Sequence, residues 1–152
     1  MVGRALIDSV SLRLLQSQGC LVVMLLGNMS MTEFKISEII PSQNITDREH
    51  WTAKRKRRNR YDEQIALAIL LKYRKKDRNK ILSSPKNMKL TIHSQRKRRI
   101  LDDANLRGGA KGLVDAIAGL GLIYDDADKY VSIEYTQDTG KPYFTQITIE
   151  QR

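Results

Sequence analysis

The sequence predicts a small α+β fold: a mixed sheet of about four strands with helices on one face, in the order β-α-β-α-β-β. Three observations carry this expectation. Short segments around residues 34–40, 88–94, 129–137 and 142–150 alternate apolar and polar residues, the period of half-buried strands. Two longer segments, within 51–76 and 110–120, space apolar residues as one face of a helix. The chain has 152 residues, the length of one domain. Such a chain buries roughly 68–70% of its unfolded surface, enough for a core.

Taken in order, Phe34 to Ile40 mixes alternation with β-branched residues and stops at Pro41, so it reads as a strand. Residues 41–50 carry Pro, Ser, Asn and Asp and read as a loop. From Trp51 to Lys76 the pattern is helical, with Ile65, Ile69 and Tyr73 on one stripe and Leu70 and Leu71 broadening it. Asp77 to Asn87 is polar, contains Pro85 and reads as a loop, and Met88 to Ser94 alternates as a second strand. Asn105 is a candidate cap for a helix running from about Ala110 to Leu120, with Leu113, Val114, Ile117 and Leu120 buried and Gly121 as its stop. Lys129 to Gln137 and Pro142 to Glu150, joined through Asp138-Thr139-Gly140, read as a hairpin.

Charge is unevenly distributed. Net charge is +10, and residues 46–99 hold 19 of the 27 Lys and Arg but 5 of the 17 acids. Residues 100–152 reverse the balance, with 5 basic and 9 acidic residues. A basic half beside an acidic cluster fits nucleic-acid binding better than general solubility. The densest runs are Lys54, Arg55, Lys56, Arg57, Arg58 and Arg60, then Arg96, Lys97, Arg98 and Arg99. Lys72, Arg74, Lys75, Lys76, Arg78 and Lys80 lie between them. Contacts from such residues to a phosphate backbone position a substrate without reading its sequence. Cys20 is the single cysteine, which excludes an intrachain disulfide framework and a cysteine-based zinc site.

Residues 1–30 read as an N-terminal extension ahead of a domain at 31–152, with Met29 or Met31 the expected native start. The apolar run Leu21 to Leu26 is far shorter than the ~20 residues of a membrane span. A small-residue cleavage site is missing and Asp8 interrupts the leading region, unlike a signal peptide.

The segment from Leu101 to Ala127 holds the candidate chemistry. Asp102 and Asp103 precede the second helix, Asp125 and Asp126 follow it, and Lys111 lies between. A helix that leaves and a turn that returns can bring both acidic pairs to one end of the fold. Such a cluster suits Mg²⁺, which takes one or two carboxylates, waters and substrate phosphate. Bound there, the ion would polarise a scissile phosphate. Lys111 and Asp115 are spaced to neighbour each other on the helix. Lys111 is expected near the helix N-terminus, where free N–H groups of Gly108 and Gly109 also favour an anion. His50 and His93 lack metal or triad spacing and read as structural or DNA-contacting.

These residues resemble the RusA family of Holliday junction resolvases, found in phages and prophages. The family pattern is an aspartate, one residue, Asp-Asn-Leu, a helix-opening lysine, Asp-Ala-Leu, and an apolar stretch ending in Asp-Asp. Its counterparts here are Asp102, then Ala104-Asn105-Leu106, Lys111, Asp115-Ala116-Ile117, and Gly121 to Asp126. Gly108-Gly109 resembles an insertion in a phage subgroup. Pro41 to Asn44 is similar to the family's loop after its first strand, and His50 to Arg55 to its basic segment. The resemblance spans roughly residues 34–150 and is most specific over 101–127.

It implies a RusA-like fold and a homodimer in the cytoplasm of a bacterial cell or phage-infected host. The implied activity is cutting four-way DNA junctions by paired symmetric nicks with Mg²⁺ or Mn²⁺. The implied catalytic residues are Lys111, Asp102 and Asp126. The implied metal carboxylates fall on Asp102, on position 104, which is alanine here, and on Asp126, so Asp102 and Asp126 are the expected ligands with Asp103 or Asp125 assisting. Two other classes fit the same residues: a non-catalytic junction- or duplex-binding protein that lost its metal through Ala104, and a basic RNA-associated protein.

Overall fold

A computed structural model describes residues 31–152. The expected N-terminal extension and start site lie outside the described residues. The domain is α+β, with strands β1 (Met31–Ile36), β2 (Met88–Arg96), β3 (Val131–Thr139) and β4 (Phe144–Gln151). Its helices are α1 (Gln43–Arg48), α2 (Trp51–Lys72), α3 (Lys75–Ile81) and α4 (Asp103–Gly119). The strands form one mixed sheet in the order β1-β4-β2-β3. Among the described residues, no helix is long and apolar enough to cross a membrane.

Register places one set of alternating side chains on a single face. Phe34 lies opposite Ile147, which lies opposite Ile92, which lies opposite Tyr135. Phe34, Ile36, Leu90, Ile92, Val131, Ile147 and Ile149 are buried. Tyr61, Ile65 and Ile69 of α2 and Leu106, Ala110, Leu113, Val114 and Ile117 of α4 complete the core. The opposite face carries polar pairs, including Lys89 with Glu134 and Glu150, and His93 with Thr136. The sheet therefore has one helix-covered and one solvated face, as its alternation requires.

Four expectations need correction. The first concerns β3 and β4, which do not form a hairpin. β2 lies between them, parallel to β3 and antiparallel to β4. Gly140 to Tyr143 crosses the end of β2, where the Gly140 N–H donates to Arg96 O. Leu90 and Ile92 are almost completely buried, as a central strand demands. Parallel strands need a long crossover, and α4 supplies it.

The second and third concern helices read as loops. Residues 43–48 form α1 rather than a loop, with no buried residue of its own. The predicted 51–76 helix breaks after Lys72, and α3 occupies part of the polar stretch after it. At the break Tyr73 is extended, and its hydroxyl donates to Glu33 O while accepting from Glu33 N–H. Lys72 also donates to Glu33 O, so α2 and its end satisfy the outward backbone groups of β1 at Glu33. Gln64 Oε1 accepts from the N–H groups of Ser37 and Glu38 just beyond it. Leu70 and Leu71 are exposed instead of broadening the core stripe.

The fourth concerns the start of α4. It begins at Asp103, capped by Asp102, so Gly108 and Gly109 lie inside the helix. A Cβ at Gly109 would stand 1.8 Å from Pro41 O, and one at Gly108 would stand 2.1 Å from Gln43 Oε1. These glycines let α1 lie against α4. Because Pro41 O is backbone and Gln43 Oε1 ends a flexible side chain, the two sites should respond differently. Gly109→Ala is expected to destabilise the fold by about 1–3 kcal/mol through overpacking. Gly108→Ala should be near neutral, since Ala favours a helix by roughly 0.5–1 kcal/mol over Gly. Urea denaturation of both variants measures the contrast.

Candidate phosphate-binding cleft and acidic turn

A cleft of about 410 Å³ opens between α1, α2 and α4. Lys54, Arg55, Arg57, Arg58 and Tyr61 of α2 form one wall. Gly108, Gly109, Lys111, Gly112 and Asp115 of α4 form the other, with Thr46 of α1 at the side. Tyr61 is buried with no hydrogen-bond partner for its hydroxyl among the described residues. Burial pushes its pKa up to about 12, so it stays a neutral donor.

The basic residues of α2 divide into two groups. Arg57 pairs with Glu49, whose carboxyl it holds below the usual range chiefly by hydrogen bonding. Arg58 reaches Asp62 at 3.3 Å and Asp115 O at 2.7 Å, tying α2 to α4. Arg60 pairs with Glu38 at 2.7 Å. Lys54, Arg55 and Lys56 are exposed, and among the described residues none of them makes an ion pair. Lys54 and Arg55 face the cleft.

The second predicted cluster, at the end of β2, is similarly mixed. Arg96 is half-buried, donates to Arg98 O, and has one guanidinium nitrogen without a partner among the described residues. Desolvation lowers its pKa. Lys97, Arg98 and Arg99 are exposed on the loop to α4. Gln137 clamps that loop by accepting from Ile100 N–H and donating to Ile100 O.

Lys111 is the meeting point of the acidic segment. Its ammonium lies 3.4 Å from Asp115 Oδ1 and 3.3 Å from Asp126 Oδ2. It sits about two turns into α4 rather than at its N-terminus, and the helix ladder occupies the N–H groups of Gly108 and Gly109. Asp115 first and Asp126 second raise the Lys111 pKa above its ordinary 10.5. The Asp126 carboxyl is held below its ordinary 3.8, first by hydrogen bonding to Asp125 and then by Lys111. Asp125 Oδ1 also accepts from the Asp126 N–H, which shapes the turn.

Asp102 serves another purpose. Its Oδ1 accepts from Ala104 N–H and its Oδ2 from Asn105 Nδ2, capping α4. Asp103 lies exposed in the first turn. Among the described residues, no three His, Cys, Asp or Glu side chains converge as a metal ligand set. Both the Lys111 ammonium and the neighbouring Asp125 carboxyl lie against Asp126.

Sequence reasoning did not single out Tyr61 or Thr46 for the cleft. The helical register of Lys54, Arg58 and Tyr61 was the available signal. His50 caps α2 by accepting from Thr52 N–H, and His93 bonds Thr136 on the solvated face. In comparison with known proteins, no family model and no curated protein matches the chain.

The ion-pair geometry has a measurable consequence. A depressed carboxyl contributes stability that is present above its unfolded pKa of 3.8 and lost as pH falls through the folded value. Carboxyl ¹³C NMR should place the Asp126 midpoint below 3.8, and Lys111→Met should move it upward without erasing the Asp125 contribution. An unchanged midpoint in that variant would separate Lys111 from Asp126 in solution.

Proposed function

We propose that the protein binds the phosphate backbone of branched DNA in the α1-α2-α4 cleft and acts as a structure-selective endonuclease of the RusA type. One observation carries the binding half: a cleft of about 410 Å³ lined by Lys54, Arg55 and Lys111, cations of helices far apart in sequence. Such a concentration of cations favours a polyanion, and its affinity should fall steeply with salt as counterions are released. The nuclease half rests on the motif residues of 101–127. Lys111 holds an ammonium at the cleft wall, where it can neutralise charge developing on a phosphate.

The metal belongs to the proposal with a restriction. Asp102, Asp103 and Asp126 have the hard oxygen donors that Mg²⁺ or Mn²⁺ takes. Asp102 is engaged as a helix cap, so an ion held there would compete with the Ala104 N–H and the Asn105 amide. That observation, with alanine at position 104, favours a second proposal: a junction- or duplex-binding protein without cleavage. A homodimer follows from the resemblance alone.

Incubating the protein with a synthetic four-way junction, with and without Mg²⁺, decides between the two. Paired nicks that require Mg²⁺ are expected for the endonuclease, and Asp126→Asn should abolish them while junction binding survives. Tight binding with no nicking at any divalent-ion concentration would leave the non-catalytic protein. Lys111→Ala should lower the cleavage rate more than affinity. A cation at developing charge is worth about 2.7–4 kcal/mol in the transition state, by analogy with oxyanion donors. Equal losses of rate and affinity would return Lys111 to the general basic surface.

A further inference from the structure

The side chain of Trp51, the single tryptophan of the chain, is 63% exposed at the first position of α2. A large aromatic surface in water loses the apolar burial that usually keeps tryptophan inside a fold. Its surroundings are cationic. Lys54 and Arg55 follow at i+3 and i+4, so all three residues share one helix face. Arg58 continues that face another turn on, and Lys54, Arg55 and Arg58 all line the cleft. The indole therefore stands one turn ahead of the cleft-lining residues of α2.

The ring is also positioned. His50 caps α2 by accepting from Thr52 N–H, and its imidazole lies 5.6 Å from the indole, centroid to centroid, at 41°. The imidazole supports one side and leaves most of the indole open. An aromatic face followed by free cations is the arrangement that binds nucleic-acid bases and phosphates together. A paired duplex offers its phosphates but keeps its base faces stacked, so only an unpaired base can use the ring.

We propose that Trp51 is a stacking surface for an unpaired nucleobase whose flanking phosphates contact Lys54 and Arg55. The substrate class is then DNA with unstacked bases, at a branch point or in a single strand, rather than continuous duplex. This inference rests on the nucleic-acid reading of the cleft but not on cleavage or metal.

Because the chain has one tryptophan, its fluorescence reports this residue alone. Titration with a thymidine oligonucleotide of sixteen residues, followed by both fluorescence and anisotropy, should give saturable quenching that tracks binding. Stacking free energies of about 1–3 kcal/mol per base correspond to roughly 5- to 150-fold in affinity. Trp51→Ala should weaken the single strand at least about 5-fold and a blunt duplex of equal length less than twofold, while Trp51→Phe retains most single-strand affinity. Binding without quenching, or equal losses for strand and duplex in Trp51→Ala, overturns the stacking role and leaves the cleft intact. A concentration-dependent blue shift in the absence of DNA, with none on adding it, assigns the ring to a protein contact and overturns it as well. No binding to either nucleic acid removes the cleft reading itself. A cleaving protein and a non-cleaving one give the same result in this experiment.

Discussion

A parallel strand pair cannot be closed by a tight turn, and that constraint organises this domain. β2 and β3 pair in parallel over their whole length, so the chain between them must travel back along the sheet. α4 makes that journey, and its apolar stripe of Leu106, Leu113, Val114 and Ile117 fixes its rotation over the sheet. Once the stripe is buried, Lys111 and Asp115 must face outward, toward the cleft. The return segment from Gly121 to Tyr130 is fixed by hydrogen bonds from Leu122 N–H to Ile117 O, Tyr124 N–H to Pro85 O and Tyr130 N–H to Ala127 O. That path delivers Asp126 to Lys111. The acidic turn is thus a consequence of the crossover.

Charge is then sorted by what each cation can reach. Arg57, Arg58 and Arg60 have carboxylates or a carbonyl from other elements within range, and they join α2 to its neighbours. Solvent-exposed ion pairs contribute about 0–1 kcal/mol, so the more exposed Arg58–Asp62 and Arg60–Glu38 pairs orient more than they stabilise. Lys54 and Arg55 lie near the start of the same helix, where no such acid reaches them among the described residues. Their charge is left for something outside the fold. The short α1 closes the cleft on the far side, and glycine at 108 and 109 is what permits its approach.

Much of this could be read from the chain. Alternation located β2, β3 and β4 to within two residues, whereas β1 runs Met31–Ile36 rather than Phe34 to Ile40, and the spacing of Leu113, Val114 and Ile117 gave the buried face of α4 without Leu120. The i, i+4 relation of Lys111 and Asp115 became a real contact. What escaped was decided by tertiary partners. α1 buries no residue of its own, and α3 buries only Ile81, so neither leaves a stripe to detect. Short linkers invite a hairpin, but β2 buries Leu90 and Ile92 better between two strands than at an edge. Gly108-Gly109 looked like a helix start because glycine disfavours helix interiors. Close packing against Pro41 and Gln43 reverses that preference here.

The start of α4 also changes how the acidic motif should be understood. In an extended segment, positions 102 and 104 would share a face and position 103 would point away. α4 begins at Asp103, so successive side chains there turn by about 100° each instead. Asp102 and position 104 no longer point together, and the N–H of Ala104 is itself a donor to the Asp102 carboxylate. The alanine thus contributes its backbone, whatever a carboxylate there would contribute as a side chain. The Asp102 carboxylate accepts from two donors at the positive end of α4. The Asp126 carboxylate is met by the Lys111 ammonium at 3.3 Å. A divalent ion binding either acid must therefore compete with a partner already in place.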